Sequence, residues 1–309
     1  MNNTTNSQLT NRRTFLWQAG LLTSAAFLGS AFESRKKFKL GLQLYTMRDA
    51  MAKDPKGSLK RFAEIGYEEF ETYGFDAANG KYYGYDAKEF YKILSDLNLT
   101  TSSGHYDLTQ FVNKSNDELK RYIDQCIEGA QALHQEYITW PWLDPESRTI
   151  DKFKIVAEKL NLIGEQVKQA NLGLAYHNHD FEFIDHNGQI GYDIITKETD
   201  ASLVKLQMDL YWIAKASKLA PHEWFLKYPG RYVMWHLKDM DKVSKDYSEM
   251  GNGSIDFSKI IPDTELAGVK HIFVEQGGNF KVDPFDSITV SANYVRKNFS
   301  EYFIERKKK

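Results

Sequence analysis

The chain has 309 residues, 42% of them hydrophobic and 14% aromatic, enough apolar material for one large core or two small ones. Its formal net charge of -2 argues against the broad basic surface that nucleic-acid binding requires, so no nucleic-acid partner is expected. The only cysteine, Cys126, excludes an internal disulfide and a zinc site made of thiolates. It lies in a helical-looking stretch, which predicts a buried thiol.

The first 35 residues have the features of an export signal. Arg12 and Arg13 precede a short, weakly apolar run at residues 19–32, an order typical of a secretory signal. The paired arginines followed by Phe15 and Leu16 resemble a twin-arginine signal, so we expect a periplasmic or otherwise exported protein. A disordered basic tail is the alternative, and an uncleaved signal would tether the protein to the inner membrane. No later run reaches the roughly 20 apolar residues that span a bilayer, so no stable membrane insertion is expected after signal removal.

Residues 36–309 alternate between short apolar segments and longer amphipathic ones, which predicts strands alternating with helices. The predicted strands span residues 38–45, 67–72, 99–105, 136–140, 172–177, 203–209, 232–238 and 271–275. The predicted helices span residues 59–65, 87–97, 117–133, 150–170, 192–199, 221–228, 257–266 and 284–303. Eight such alternations without a linker predict an α/β fold, a single-domain (β/α)8 TIM barrel. A doubly wound open sheet is the alternative, but no Gly-rich loop follows the first strand.

Catalytic residues of such barrels lie at the carboxyl ends of the strands. The candidate side chains at those ends are His105, Trp140, Trp142, His177, His179, Glu182, Asp209, His236, Lys238 and Glu275. Each has an ordinary explanation when taken singly: a histidine can be a hydrogen-bond donor, Asp209 a helix cap, and Glu275 the partner of a lysine. The functional hypothesis depends on strands five to eight each delivering a nitrogen or oxygen ligand to one place.

One divalent metal ion is the expected cofactor. The predicted ligands are His177, Asp209, His236 and Glu275. Imidazole and carboxylate donors without thiolates suit manganese, cobalt, zinc, iron or magnesium. His179 lies on the same side of the strand as His177, and Glu182 follows in the loop, so any of these three is a candidate for the strand-five ligand.

Four segments carry a resemblance to a known family: residues 41–48 (GLQLYTMR), 176–183 (YHNHDFEF), 208–212 (MDLYW) and 236–239 (HLKD). With the order of the ligands along strands five to eight, they resemble the sugar phosphate isomerase/epimerase superfamily, the xylose isomerase-like barrels, in a secreted bacterial branch. The resemblance covers about residues 38–305. Ketose 3-epimerases of this superfamily place a glutamate where this chain has His177, and a further substrate-contacting glutamate at a place similar to Glu182. Inosose dehydratases carry a comparable His-x-His stretch.

The resemblance implies a metal-dependent sugar isomerase or epimerase that acts on a sugar or keto sugar through a metal-bound enediolate. Glu275 is the predicted base, and Glu182, His179 and Lys238 are predicted to act as acid, base or stabilising group. For Lys238, a structural salt bridge with Asp239 or Asp209 is the alternative. Two other functions are kept: a lyase or dehydratase acting on a keto sugar, keto glycoside or cyclitol, and a non-catalytic exported sugar-binding module. A phosphodiester-cleaving relative is disfavoured by the acidic balance.

A small-molecule carbohydrate is the expected partner, and a homo-oligomer is possible. Trp140, Trp142 and Trp212 offer flat faces that suit the C–H side of a pyranose, and His105 is added as a substrate-binding residue. Core packing explains any one of the tryptophans equally well.

Overall fold

Within residues 37–304, the part of the chain that the computed structural model describes, eight parallel strands close into a barrel. The strands are β1 (Gly41–Gln43), β2 (Glu69–Thr72), β3 (Thr100–His105), β4 (Tyr137–Trp140), β5 (Gly173–His177), β6 (Val204–Asp209), β7 (Tyr232–Leu237) and β8 (His271–Val274). Because β1 pairs with both β2 and β8, the sheet has no free edge. The predicted (β/α)8 TIM barrel is confirmed.

Helices connect the strands. They are α1 (Arg48–Lys53), α2 (Pro55–Ile65), α3 (Ala87–Asp96), α4 (Asn116–Ala132), α5 (Ile150–Gln169), α6 (Gly191–Glu198), α7 (Leu210–Ala216), α8 (Pro221–Lys227), α9 (Thr264–Ala267) and α10 (Pro284–Phe299). The start of α4 follows from its sequence: the Ser115 hydroxyl accepts from the backbone N–H of Glu118, whose carboxylate accepts from the backbone N–H of Ser115. Cys126 lies on the buried side of α4, as predicted.

Two segments differ from their predicted form. The predicted helix at 257–266 consists of two 3-10 turns, Phe257–Lys259 and Ile261–Asp263, followed by the four-residue α9. Pro262 explains the break, because it has no N–H to continue the ladder of helical hydrogen bonds. The predicted first strand ends early because the Gln43 side chain accepts from the backbone N–H of Tyr45 and starts a 3-10 turn.

The barrel interior is layered. An apolar cluster of Tyr137, Ala175, Val233, Met234 and Phe273 fills its middle. The ring of Phe273 stacks on His271 at 6.4 Å between ring centroids and meets His236 edge-on at 6.1 Å. Phe273 therefore lies between polar groups at the two ends of the barrel.

The predicted export signal, residues 1–35, lies outside the described residues and stays a prediction. Between residues 37 and 304, every helix is too short or too polar to cross a membrane.

Candidate active site

Three of the predicted metal ligands meet at the carboxyl end of the barrel. Asp209 is the last residue of β6, His236 is the last but one of β7, and Glu275 directly follows β8. These three strands are neighbours in the sheet. One donor atom from each lies within 4.8 Å of the other two, and all three residues are buried. We refer to these three residues as the Asp209 cluster.

The Lys238 ammonium lies inside this cluster. Its Nζ is 2.7 Å from Asp209 Oδ2 and 2.6 Å from Glu275 Oε2. The salt bridge between Lys238 and Asp209, predicted as the structural alternative to a catalytic role, is thus present. The ammonium places a positive charge between the two carboxylates.

The electrostatics of the cluster follow from burial and from close opposite charges. Burial alone would lower the pKa of His236, but Glu71 and Glu275 raise it to about 10. Burial would likewise lower the pKa of Lys238, yet Asp209 and Glu275 hold it above its usual range. Burial would raise the pKa of Glu275, but Lys238 and His236 keep it below its usual range. Burial has the larger effect on Asp209 and raises its pKa.

Asp209 also begins a helix. Its Oδ1 accepts from the backbone N–H groups of Tyr211 and Trp212, which fixes the carboxylate at the start of α7. The Asn178 side chain ties the end of β5 to β6 by accepting from the backbone N–H of Asp209 at 3.1 Å. Because Oδ1 is used as the cap, Oδ2 is the oxygen that faces Lys238.

A second layer of polar side chains lies against the cluster, and sequence reasoning missed its central members. Glu71 Oε2 is 2.5 Å from His236 Nε2 and 3.0 Å from His105 Nε2. Gln43 and Gln207 each donate from Nε2 to Glu71 at 2.7 Å. Strand alternation puts Gln207 on the same face of its strand as Asp209, two residues away, but it does not show which residues Gln207 and Glu71 contact.

His177 lies at the edge of the Asp209 cluster. Its Nε2 is 3.9 Å from Asp209 Oδ2, and its Nδ1 bonds with Gln207 Oε1 at 2.9 Å. Burial, reinforced by the nearby His236, keeps the pKa of His177 well below its usual range. The ring is therefore neutral and has a nitrogen lone pair to offer.

His179 and Glu182 have different surroundings. The centroid of the His179 ring lies 4.8 Å from that of His177 and 5.5 Å from that of Trp212. The buried His179 Nδ1 has no hydrogen-bond partner among the described residues. Both carboxylate oxygens of Glu182 are engaged, by the Tyr176 hydroxyl at 2.8 Å and by the backbone N–H of His179 at 2.8 Å. Burial raises the pKa of Glu182 to about 8. Glu182 thus holds the segment that carries His179 and contacts no member of the Asp209 cluster.

The three candidate tryptophans separate into two kinds. Trp140 is fully buried in the main core, and its indole N–H donates to the carbonyl of Trp142. Trp142 is 41% exposed and packs edge-on against His179. Trp212 is half-buried, with its ring 5.6 Å from Lys238 Nζ and its indole N–H unpartnered among the described residues. Trp142 and Trp212 can therefore meet a ligand, whereas Trp140 belongs to the core.

The last residue of the HLKD segment organises a loop. The buried carboxylate of Asp239 accepts from the backbone N–H groups of Gly251, Gly253 and Ile255. This loop lines an outer cavity of about 490 Å³. No member of the Asp209 cluster lines that cavity, so it is not part of the candidate site.

The model of the xylose isomerase-like TIM barrel family matches residues 59–274. The chain belongs to this family. No curated protein matches the sequence.

Solved structures agree with the family. A sugar phosphate isomerase/epimerase from Parabacteroides distasonis is 25% identical, with a TM-score of 0.74 over 87% of this chain and 97% of its own. The zinc-binding IOLI protein is 15% identical, with a TM-score of 0.68 over 87% of this chain and 100% of its own. An L-ribulose 3-epimerase is 14% identical, with a TM-score of 0.66 over 85% of this chain and 95% of its own. The last two likenesses concern the fold alone.

Proposed function

We propose that this protein is a divalent-metal-dependent enzyme that isomerises or epimerises a sugar or keto sugar by moving a proton beside a carbonyl. The observation that carries the proposal is the Asp209 cluster, in which three adjacent strands bring donor atoms within 4.8 Å of one another. Sites of catalysis in TIM barrels lie at this end. The similarity to a sugar phosphate isomerase/epimerase supports the substrate class.

The residues present fit a divalent cation. Asp209, His236 and Glu275 supply oxygen and nitrogen donors, and His177 Nε2 is the candidate fourth donor. Three buried carboxylates, those of Glu71, Asp209 and Glu275, face only two cationic groups, His236 and Lys238, which leaves an excess of negative charge. The position between Asp209 and Glu275 already holds a cation, the Lys238 ammonium. When bound there, a metal would polarise a substrate carbonyl and its neighbouring hydroxyl, which makes the adjacent C–H more acidic.

The other steps belong to side chains of the chain. Glu275 is the proposed base, because its side chain is 10% exposed whereas that of Asp209 is fully buried. Lys238, next to both carboxylates, is placed to stabilise negative charge on the substrate oxygen or to return a proton. His179 Nδ1 and the Trp212 indole N–H are unpartnered polar atoms that would bond to sugar hydroxyls. The exposed ring of Trp142 would cover a C–H face.

One observation supports elimination as the second candidate reaction. Both oxygens of Glu182 are held by Tyr176 and His179, so Glu275 is the carboxylate left to act as base among the predicted catalytic residues. Epimerisation with two opposed carboxylates would need Glu182 to be free. Elimination needs one base and one acid, which Glu275 and Lys238 supply, and it would make the protein a lyase on a keto sugar, keto glycoside or cyclitol.

The test has two stages. Metal content is measured on purified protein and after reconstitution with Mn²⁺, Co²⁺, Zn²⁺ or Mg²⁺, and keto sugars are then incubated in D₂O. Incorporation of deuterium at the carbon beside the carbonyl would support proton abstraction if a metal chelator abolishes it. Formation of an unsaturated product would show that the reaction is an elimination and the protein a lyase. Failure to bind any metal after reconstitution would refute the proposal and favour a sugar-binding module.

We also propose that residues 1–35 export the protein by a twin-arginine route, so that it acts in the periplasm. The support is the pair Arg12 and Arg13 before a short apolar run. Replacing both arginines with lysine should retain the protein in the cytoplasm, as cell fractionation would show. Unchanged export would refute this assignment.

A further inference from the structure

We propose that Glu71 and Gln207 are positioning residues that determine which nitrogen of His236 and which nitrogen of His177 face the Asp209 cluster. This inference rests on the proposed function only in taking the cluster to be a cation site. Both side chains are fully buried and lie inside the barrel. Neither is among the ligands that the chain's sequence pattern indicates.

Glu71 orients His236. A carboxylate accepts hydrogen bonds, so the His236 nitrogen 2.5 Å from Glu71 Oε2, which is Nε2, carries a hydrogen. The other nitrogen, Nδ1, lies 2.9 Å from Glu275 Oε2, inside the cluster, and in the positively charged ring it carries the hydrogen that a bound cation would replace. A cation bound between Asp209 and Glu275 would meet Nδ1, while Nε2–H stays on Glu71. Imidazole ligands of metals are commonly held by a carboxylate in this way.

Gln207 orients His177 through Glu71. Because Gln207 Nε2 donates to Glu71 Oε1, its Oε1 must point the other way. That oxygen lies 2.9 Å from His177 Nδ1 and 2.8 Å from His105 Nε2, so both imidazole nitrogens donate to it. His177 therefore carries its hydrogen on Nδ1 and presents the lone pair of Nε2 toward Asp209.

The same bonds argue against a second cation among the histidines. Donor atoms of His105, His177 and His236 also lie within 4.8 Å of one another. However, each ring already donates a hydrogen bond from one of its nitrogens to Glu71 or Gln207. In the second layer of polar side chains, the three histidines are thus hydrogen-bond donors to two acceptors, Glu71 and Gln207. The proposed cation site is the Asp209 cluster.

Glu71 is engaged by buried side chains on both of its oxygens. Oε2 accepts from Gln43 and His236 and lies 3.0 Å from His105 Nε2, while Oε1 accepts from Gln207. Replacing it by glutamine would leave one acceptor oxygen and place an NH2 group against at least one of these donors. We expect His236 or Gln207 to turn as a result.

The experiment compares Glu71→Gln with Glu69→Gln in the full chain. Glu69 is a matched control, because it is a buried glutamate on the same strand that bonds with another histidine, His271, at 3.1 Å. Titration calorimetry with Zn²⁺ and Mn²⁺ should show that Glu71→Gln weakens binding by about 10- to 100-fold, as changes behind a metal ligand usually do. Glu69→Gln should bind as tightly as the wild type.

A second measurement does not need metal. Nitrogen-15 NMR of the metal-free wild type should show His177 protonated on Nδ1, with a slowly exchanging Nε2 hydrogen on His236. In Glu71→Gln the His236 hydrogen should exchange faster and His177 should show a mixture of tautomers. Gln207→Met, which leaves Glu71 in place, is the second variant in case Glu71→Gln does not fold; it too should weaken metal binding and mix the His177 tautomers.

The outcomes distinguish the two proposals. If the wild type binds metal and the folded variants bind it equally tightly with unchanged histidine spectra, the positioning role is refuted. If the wild type binds no metal, the proposed function fails, and the NMR of the metal-free protein alone decides the role of Glu71 and Gln207.

Discussion

The two ends of the barrel carry the same pair of residue types with different consequences. At the amino end, His271 Nδ1 lies 3.1 Å from Glu69 Oε1. At the carboxyl end, His236 Nε2 lies 2.5 Å from Glu71 Oε2. Phe273 lies between the two histidines and contacts both rings.

The difference lies in what surrounds each pair. The further partner of His271 is Glu136, whose side chain is 56% exposed, so water can solvate the charge there. His236 faces Glu275, and Glu275 shares Lys238 with Asp209, all with little access to water. Gathering so many charges in the interior is costly, because their desolvation offsets much of their attraction. A buried histidine–glutamate pair by itself is therefore compatible with a purely structural role. It indicates a functional site where further buried charged groups, here Lys238 and Asp209, are packed against it.

The largest expected effect is the loss of metal when the carboxyl-end histidine is removed. His236→Ala and Asp209→Ala should each lower metal affinity by more than about 100-fold, since changes behind a ligand already cost 10- to 100-fold. Elemental analysis after gel filtration measures the retained metal. His236→Gln is the backup if the alanine variant does not fold.

His271→Ala is the matched control at the amino end. It should keep the metal while lowering the free energy of unfolding, because Glu69 would lose its buried partner. Equal metal loss in both variants would mean that the two ends do not differ in function.

Next in size is the effect of the internal cation. Lys238→Met should lower kcat by roughly 10²- to 10⁴-fold, the range expected when an acid–base group is lost. The same variant should bind metal more tightly, because the ammonium now 2.6 Å from Glu275 and 2.7 Å from Asp209 would no longer compete. Metal should also raise its Tm more than that of the wild type.

Lys270 at the amino end provides the control for that experiment. It is exposed, and its Nζ lies 5.4 Å from the Tyr137 ring centroid, with no contact to the Asp209 cluster. Lys270→Met should leave metal affinity and kcat unchanged. An unchanged metal affinity in Lys238→Met would show that Lys238 does not occupy the cation position.

Much of this architecture was predictable from hydrophobic periodicity. Parallel strands bring their carboxyl ends to one edge, so Asp209, His236 and Glu275 could be expected to meet once eight strands were recognised. The sequence pattern is informative here because each of these residues ends or follows an apolar run.

The rest depends on side-chain directions that a linear pattern does not contain. Glu71 and Gln207 stand within strands that mix polar and apolar residues, and their role becomes visible only when strands β2 and β6 face each other across the barrel. The 3-10 turn at Phe181–Phe183 directs Glu182 to Tyr176, although its sequence position places it near the strand end. The placement of Lys238 between two carboxylates depends on distances among three strands.

A smaller effect concerns pH and the amino end. Burial alone would lower the pKa of His271, but Glu136 and Glu69 raise it to about 9 from an ordinary value of 6.5. Because the folded pKa is the higher one, this stabilisation is fully present below pH 6.5 and is lost as the pH rises through 9. At 1.36 kcal/mol per pKa unit, the loss amounts to about 3 kcal/mol of the free energy of unfolding.

Urea unfolding of the metal-free protein at pH 6 and pH 9.5 measures this loss. His236 titrates in the same direction, so the informative quantity is the difference between the wild type and Glu69→Gln. The variant should lose less stability over this interval. A pH dependence identical to that of the wild type would assign the whole effect to the carboxyl end.

The smallest expected effect is on substrate binding at the rim of the carboxyl end. Trp142→Ala should raise KM by roughly 2- to 10-fold with kcat little changed, because an aromatic contact contributes about 0.5–1.5 kcal/mol. The exposed Trp142 ring lies beside His179 and takes no part in the Asp209 cluster, so its loss should affect binding more than chemistry. Tyr137→Phe should leave both constants unchanged, since Tyr137 belongs to the apolar cluster in the middle of the barrel and its ring packs 6.1 Å from that of His271. Steady-state kinetics on the two variants separates these outcomes, and an equal rise of KM in both would indicate a general loosening of the barrel rather than a substrate contact at Trp142.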